Sequence, residues 1–95
     1  MIPEAEICLV ESLKTKSQAA FAQVYDRYAG ALFSFICRTT NDTARAEALL
    51  QEVFVRLWKE IDHYDPLKER LFTWIFRITL NMCGQTKENI KALNL

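Results

Sequence analysis

Apolar residues recur at intervals of three and four along most of the chain. In the clearest run, residues 46–58, one helix face holds Ala46, Leu49, Leu50, Val53, Phe54, Leu57 and Trp58. This spacing predicts an amphipathic α-helix that buries its apolar face. The other face holds Glu47, Ala48, Gln51, Glu52, Val55 and Arg56. Periodicity alone leaves open whether that face is solvated surface or a docking site.

The same pattern predicts four helical segments. Their expected bounds are residues 4 to about 13, 18 to about 39, 44 to about 61, and 69 onwards, with room to continue past Gly84 to about residue 93. Ser17 can cap the second segment, and Asn41-Asp42-Thr43 can end the second and cap the third. Asp65-Pro66 predicts a loop, because a residue before proline avoids the α region. We therefore expect an all-α compact bundle of about four helices.

The remaining apolar stripes predict the core. We expect inward positions at Ile7, Cys8, Val10, Leu13, Phe21, Val24, Tyr25, Tyr28, Leu32, Phe35, Ile36, Leu71, Trp74, Ile75, Ile78 and Met82. With 95 residues, 51% of them hydrophobic and only two glycines, the composition favours one helical domain over residues 1–95. Residues from about 85 to 95 can alternatively begin a linker.

Charge and cysteine usage narrow the functional classes. The net charge is zero, although residues 1–62 carry seven basic and nine acidic side chains and residues 63–95 carry five and three. The three cysteines are far apart and belong to no CxxC or Cys/His cluster, so the sequence predicts neither a disulfide framework nor a metal site. We find no export signal and no apolar run that would span a membrane, and expect a cytoplasmic protein without cofactors.

No catalytic motif is recognisable. The single histidine, His63, has no nucleophile or titratable partner placed beside it by any motif. Glycine-rich phosphate loops and the HExxH and GxSxG patterns do not occur. The sequence therefore predicts a protein that is not an enzyme.

The loop around Pro66 and the fourth segment together mix aromatic and basic residues. Tyr64, Phe72, Trp74 and Phe76 alternate with Lys68, Arg70 and Arg77. Such a mixture is typical of single-stranded nucleic-acid binding, in which cations follow the backbone and aromatic faces stack on bases. Aromatic residues at helical spacing also commonly form a core. The residues alone leave both interpretations open.

The order of these features resembles the second region of bacterial RNA polymerase sigma factors, in particular the extracytoplasmic-function (ECF) group. The resemblance covers about residues 20–81, through AFAQVYDRYAGALFSFICRTTNDTARAEALLQEVFVRLWKEIDHYD and LFTWIFRITLN. Its strongest parts are the Ala46-Glu47, Leu50–Phe54 and Trp58 group and the later Trp74-Ile75, Ile78 and Asn81 group. The family's fourth region, which reads the −35 element, would lie beyond Leu95.

The resemblance implies that the third helix docks on the clamp helices of the polymerase β′ subunit. The positions that would face this partner are Glu47, Ala48, Gln51, Glu52 and Val55. Two packed helical surfaces with complementary charge would set the register of the contact. An anti-sigma factor is a further partner that the resemblance suggests.

The resemblance also implies recognition of the promoter −10 element, mainly as single-stranded non-template DNA. The loop at residues 62–68, which contains His63, would form a pocket for a flipped base together with the fourth helix. Tyr64, Ile78 and Asn81 would line that pocket, with Arg56 nearby. Lys68, Arg70 and Arg77 would contact phosphates. The domain would thus help to melt the promoter.

Some positions depart from the family pattern. Ala48 stands where the family has an acidic residue, Leu80 where a basic residue is common, and Gln85 and Glu88 where Asp and Arg are usual. Ala48 removes one expected charge of the clamp contact. The loss of basic residues at Leu80 and Glu88 makes the DNA-facing helix less basic than expected and favours one alternative, a degenerate sigma-like interaction module without promoter binding. A duplex-reading helix-turn-helix is less favoured, because no short glycine turn precedes a basic helix.

Overall fold

The computed structural model describes residues 3–84, which form a bundle of four α-helices. They are α1 (Glu4–Lys14), α2 (Gln18–Thr40), α3 (Thr43–Glu60) and α4 (Leu71–Met82), and a 3₁₀ turn at Ile61–His63 follows α3. The helix α3 packs against both α2 and α4, and α2 and α4 also contact each other. The predicted all-α bundle is confirmed. None of the described helices is long and apolar enough to cross a membrane.

Polar residues at the helix ends form the boundaries between α1 and α2 and between α2 and α3, as predicted. The Ser17 hydroxyl accepts a hydrogen bond from the Ala20 N–H at 3.1 Å at the start of α2. Asn41 ends α2 in the left-handed conformation (φ 55°), and its N–H donates to the Cys37 carbonyl at 2.8 Å. The Asp42 carboxylate then accepts from the Arg45 N–H at 3.1 Å. These contacts satisfy helix-end groups that would otherwise lack partners.

The fourth helix is shorter than predicted at both ends. It begins at Leu71, two residues after the expected start, and ends at Met82. Its continuation through Gly84 is wrong, because Gly84 has a φ of 72° and leaves the right-handed helical region. The sites at Gln85 and Glu88, and the predicted extension or linker at residues 85–95, lie outside the described residues.

A single apolar cluster joins all four helices, and most predicted core positions belong to it. The prediction is wrong for Ile7, Cys8 and Tyr25, which are exposed. The reason for the first two lies in the orientation of α1, which turns Glu6 inward. The carboxylate of Glu6 is buried, with only 3% of the residue exposed, and it faces the start of α4.

Candidate functional site

The outer face of α3 presents all five predicted polymerase-binding residues to solvent. These residues are Glu47, Ala48, Gln51, Glu52 and Val55. Val55 is the large apolar side chain among these five residues, with 52% exposure. Within residues 3–84, neither Glu47 nor Glu52 has a salt-bridge partner. The face therefore offers unneutralised carboxylates and one apolar contact to a partner.

An open cleft of about 490 Å³ extends this face toward the end of α4. It is lined by Ala48, Gln51, Glu52, Val55, Arg56, Lys59, Glu60 and Met82. Arg56, predicted as a DNA-contacting residue, lies here, and its Nε is 3.6 Å from a Glu60 carboxylate oxygen. Both side chains are nearly half exposed, so this ion pair contributes little stability. Arg56 thus shares a surface with the predicted docking residues.

A second groove, of about 510 Å³, lies on the α2 side of α3. Its walls are Gln18, Phe21, Phe54, Val55, Trp58 and Lys59. The rings of Phe21 and Trp58 meet edge to face with centroids 5.1 Å apart. Phe21 and Trp58 are half-buried because each lies at the border of the apolar stripe of its helix. Hydrophobic periodicity predicts such border positions only coarsely.

Tyr64, predicted to line a base pocket, is a core residue with 1% exposure. Its hydroxyl donates to the Glu69 carbonyl at 2.7 Å, and its ring centroid is 5.3 Å from that of Trp74. Burial raises the pKa of Tyr64 to about 12, and the nearby carboxylates of Glu6 and Glu69 act in the same direction. Ile78 is also buried, with 6% exposure. Both side chains therefore lie in the core, and neither forms the predicted wall of a base pocket in this conformation.

The other aromatic residues of α4 pack against α2. The ring centroids of Phe72 and Tyr28 are 5.0 Å apart, and those of Phe76 and Phe35 are 4.8 Å apart. Trp74 is 9% exposed. The aromatic residues that alternate with basic ones therefore form part of the core, and Phe72 and Phe76 remain half-buried at its edge.

Two of the predicted phosphate-contacting arginines form internal ion pairs. Arg70 Nη2 lies 2.8 Å from Glu6 Oε1, and its Nε also donates to the same carboxylate. Arg77 makes a two-nitrogen contact with Glu69, with Nη1 3.0 Å from Oε2. Both arginine side chains remain about half exposed. Their charges are offset by carboxylates, although parts of both guanidinium groups still face solvent.

The remaining predicted DNA contacts lie on the surface. Lys68 and His63 are exposed in the segment between α3 and α4, and Asn81 is exposed near the end of α4. Among the described residues, Lys68 has no salt-bridge partner. Lys68 is therefore the cation of the predicted loop that is best placed to meet a phosphate.

The inward orientation of Glu6 was not predicted from the sequence. Its carboxylate accepts hydrogen bonds from Arg70 and, at 2.9 Å, from the Leu71 N–H. The hydrogen bond from Arg70 is the main reason why the pKa of Glu6 lies below its ordinary value, since burial alone would raise it. A signal did exist: Glu6 is in helical phase with Leu9, Val10 and Leu13, which are buried.

The sequence of this chain matches a known protein family. The family model for Sigma-70 region 2 matches residues 24–86, which include most of α2 and all of α3 and α4. The helix α1 lies outside that match. The matched span is well over half of the chain.

Curated relatives agree with the family match. The ECF RNA polymerase sigma factor SigW of Bacillus subtilis is 30% identical over 73 residues, covering 77% of this chain and 38% of the relative. The ECF RNA polymerase sigma factor RpoE of Cereibacter sphaeroides is 29% identical over 66 residues, covering 70% and 36%. The chain thus spans slightly more than a third of the length of these relatives. The resemblance inferred from the sequence is confirmed: this chain belongs to the sigma-70 region 2 family and is a region 2 domain of the ECF sigma-factor type.

Proposed function

We propose that this domain acts in transcription initiation by docking α3 on the β′ clamp helices of RNA polymerase. The observation that carries the proposal is the exposed outer face of α3, which lies within the Sigma-70 region 2 match. The carboxylates of Glu47 and Glu52 would meet basic side chains of the partner, and Val55 would fill an apolar depression between them. Complementary charge of this kind speeds association and fixes the register of two helices.

The second part of the proposal is recognition of the promoter −10 element by the segment between α3 and α4 together with α4. Residues 62–68 and the exposed side of α4 would contact the non-template strand while it is single-stranded. Lys68 and His63 would approach phosphates, and the Asn81 amide can both donate and accept hydrogen bonds at a base edge. Tyr64 and Ile78 would support this surface from within the core.

Docking and strand binding together would help to melt the promoter without any catalysis by the domain itself. Binding to polymerase implies that the domain works in the cytoplasm. The exposed α3 face would also be the natural target for an anti-sigma factor, because covering it would block polymerase docking.

A double variant tests the docking face. Gln51→Ala with Glu52→Arg should weaken binding to a β′ clamp-helix fragment by about tenfold or more, because a carboxylate becomes a like charge against the basic partner. The matched control is Gln23→Ala with Asp26→Arg, which makes the same chemical change on exposed positions of α2. Surface plasmon resonance would compare the two. Equal binding by both double variants would refute docking through this face.

Strand selection tests the promoter surface. Single strands enriched from a random pool by the wild-type domain should share a short motif, and Asn81→Ala should lose preference for it over scrambled strands. Gln23→Ala, an exposed amide truncation elsewhere, should retain the preference. If the wild-type domain bound enriched and scrambled strands equally, base recognition by this surface would be refuted.

One observation favours the alternative of a sigma-like interaction module without promoter binding. Arg70 and Arg77 are both paired with carboxylates, which lowers the charge available to DNA. A salt titration separates the two functions, because phosphate contacts make the affinity fall steeply with salt concentration. A flat dependence, combined with intact β′ binding, would favour the module.

A further inference from the structure

Two contacts join α1 to the segment at residues 64–71, one at each end of that segment. At its beginning, the Lys14 ammonium donates to the Tyr64 carbonyl at 2.7 Å. At its end, the Glu6 carboxylate accepts from the Leu71 N–H at 2.9 Å and binds the Arg70 guanidinium. The helix α1 thus fixes both ends of the segment that contains Lys68.

The contact at Leu71 replaces a missing helix cap. Arg70 occupies the N-cap position of α4 and makes no side-chain capping hydrogen bond. The first N–H groups of a helix need acceptors, and a carboxylate there also interacts favourably with the helix dipole. Glu6 supplies that carboxylate from a residue 65 positions earlier in the chain. The direction and start of α4 therefore depend on α1.

Few contacts form within residues 64–71, and those described next are hydrogen bonds. The Tyr64 hydroxyl donates to the Glu69 carbonyl at 2.7 Å, and the Asp65 carboxylate accepts from the Leu67 N–H at 2.9 Å. Leu67 and Lys68 project into solvent. A segment with so little regular backbone hydrogen bonding opens easily unless tertiary contacts restrain it. The buried Glu6 and the part-buried Lys14 contact are such restraints.

We propose that α1 positions the promoter-binding surface: Glu6 and Lys14 hold residues 64–71 in the conformation that presents Lys68 and α4 to the −10 strand. The two side chains are positioning residues, since they act through Tyr64, Arg70 and Leu71. This proposal rests on the promoter recognition proposed above. It assigns a function to a helix that lies outside the Sigma-70 region 2 match.

The docking face provides an internal reference for the test. The outer face of α3 does not include residues 64–71, so loosening this segment should leave clamp-helix binding unchanged. A change that merely destabilised the whole domain would instead reduce both kinds of binding. The ratio of the two affinities therefore separates positioning from general stability.

The experiment uses the 95-residue chain with Glu6→Gln, and Lys14→Met as a second variant at the other end of the segment. Glu11→Gln is the control, because Glu11 is an exposed glutamate of the same helix. Amide hydrogen exchange of residues 64–71, β′ clamp-helix binding and affinity for a strand selected by the wild-type domain are measured. Thermal unfolding verifies that each variant is folded under the binding conditions.

We expect exchange in residues 64–71 to accelerate about tenfold in each variant and strand affinity to fall about fivefold, with clamp-helix binding and the control unchanged. Faster exchange with unchanged strand affinity would overturn the positioning role while leaving the proposed function intact. Equal loss of strand and clamp-helix binding would overturn it in favour of general destabilisation. If the wild-type chain selected no strand, promoter recognition itself would fail, and the positioning role with it.

Discussion

The two candidate binding surfaces of this domain are built in opposite ways. On α3, the polar residues that periodicity places outside are outside, and Glu47 and Glu52 have no ion-pair partner within residues 3–84. In the segment between α3 and α4 and on α4 itself, residues whose types suit a nucleic-acid ligand are engaged internally. Tyr64 is buried, and Arg70 and Arg77 bind carboxylates.

The difference shows what a surface requires from the rest of the fold. A helix face needs only its own periodicity to project side chains into solvent. A loop without regular structure needs contacts from elsewhere, and this one uses its aromatic and basic residues to obtain them. Aromatic and basic residues that would suit nucleic-acid binding therefore make internal contacts that restrain the loop. Fewer side chains remain available to DNA, and Lys68 is one of them.

Replacing Tyr64 would test the internal role of the loop most severely. Tyr64→Ala should lower the free energy of unfolding by about 3–5 kcal/mol, because it removes a buried ring that contacts Trp74. Tyr64→Phe, which loses only the hydrogen bond to the Glu69 carbonyl, should lower it by about 1 kcal/mol. Urea denaturation measures both. Unchanged stability of the alanine variant would mean that Tyr64 is a surface residue, and the contrast with α3 would disappear.

Replacing Glu6 should have the next largest effect, and the effect should depend on pH. Glu6→Gln should lower the free energy of unfolding by about 2 kcal/mol at pH 7, because the buried carboxylate that binds Arg70 and the Leu71 N–H loses its charge. The pKa of Glu6 lies below its ordinary value of 4.5 in the folded domain. Its contribution is therefore present above pH 4.5 and is lost as the pH falls through the lower, folded-state pKa.

The free energies of unfolding of the wild type and Glu6→Gln should therefore converge as the pH falls. Denaturation of both proteins from pH 7 to pH 3 would measure this. The exposed Glu11→Gln variant is the control and should follow the wild type throughout. A gap between wild type and Glu6→Gln that stayed constant to pH 3 would contradict an ionised Glu6 as the source of the stability.

Much of the fold could be predicted because its determinants are local. The Ser17 and Asp42 caps, the left-handed Asn41 and the apolar stripe of α3 depend on residues within one or two helical turns. Each of these signals acts at short range in the chain, so the sequence contains the whole cause. The bounds of α1, α2 and α3 consequently differ from the prediction by only one residue at an end.

The arrangement around α4 could not be predicted in the same way. Its start at Leu71 is determined by Glu6, and its loop is held by Lys14, both of which are distant in sequence. Helix periodicity groups Glu6 with Leu9, Val10 and Leu13, but it does not indicate that the Glu6 carboxylate meets the Leu71 N–H in the folded chain.

Breaking the ion pair between Arg77 and Glu69 would make the second surface more like the α3 face, because it would leave a charged side chain without an internal partner. Glu69→Gln should raise affinity for single-stranded DNA about threefold at low salt, because the arginine loses its anionic partner and can contact a phosphate. The slope of log affinity against log salt should steepen by about 0.7 for one added phosphate contact. Glu11→Gln, with the same change in net charge, should leave the slope unaltered. Identical slopes for both variants would show that Arg77 does not reach DNA.

The smallest expected effect concerns the docking face itself. Ala48→Asp would restore an acidic residue where the family pattern has one, beside Gln51 and Glu52 in the cleft on α3. A single charge added at the rim of an interface should tighten binding to the β′ clamp-helix fragment about two- to threefold, mainly through faster association at low salt. Ala19→Asp, at an exposed alanine of α2, is the matched control. Tighter binding by both variants would indicate general charge attraction. Tighter binding by Ala48→Asp alone would place the contact on this face, because only there would the new carboxylate lie within reach of the partner's basic side chains.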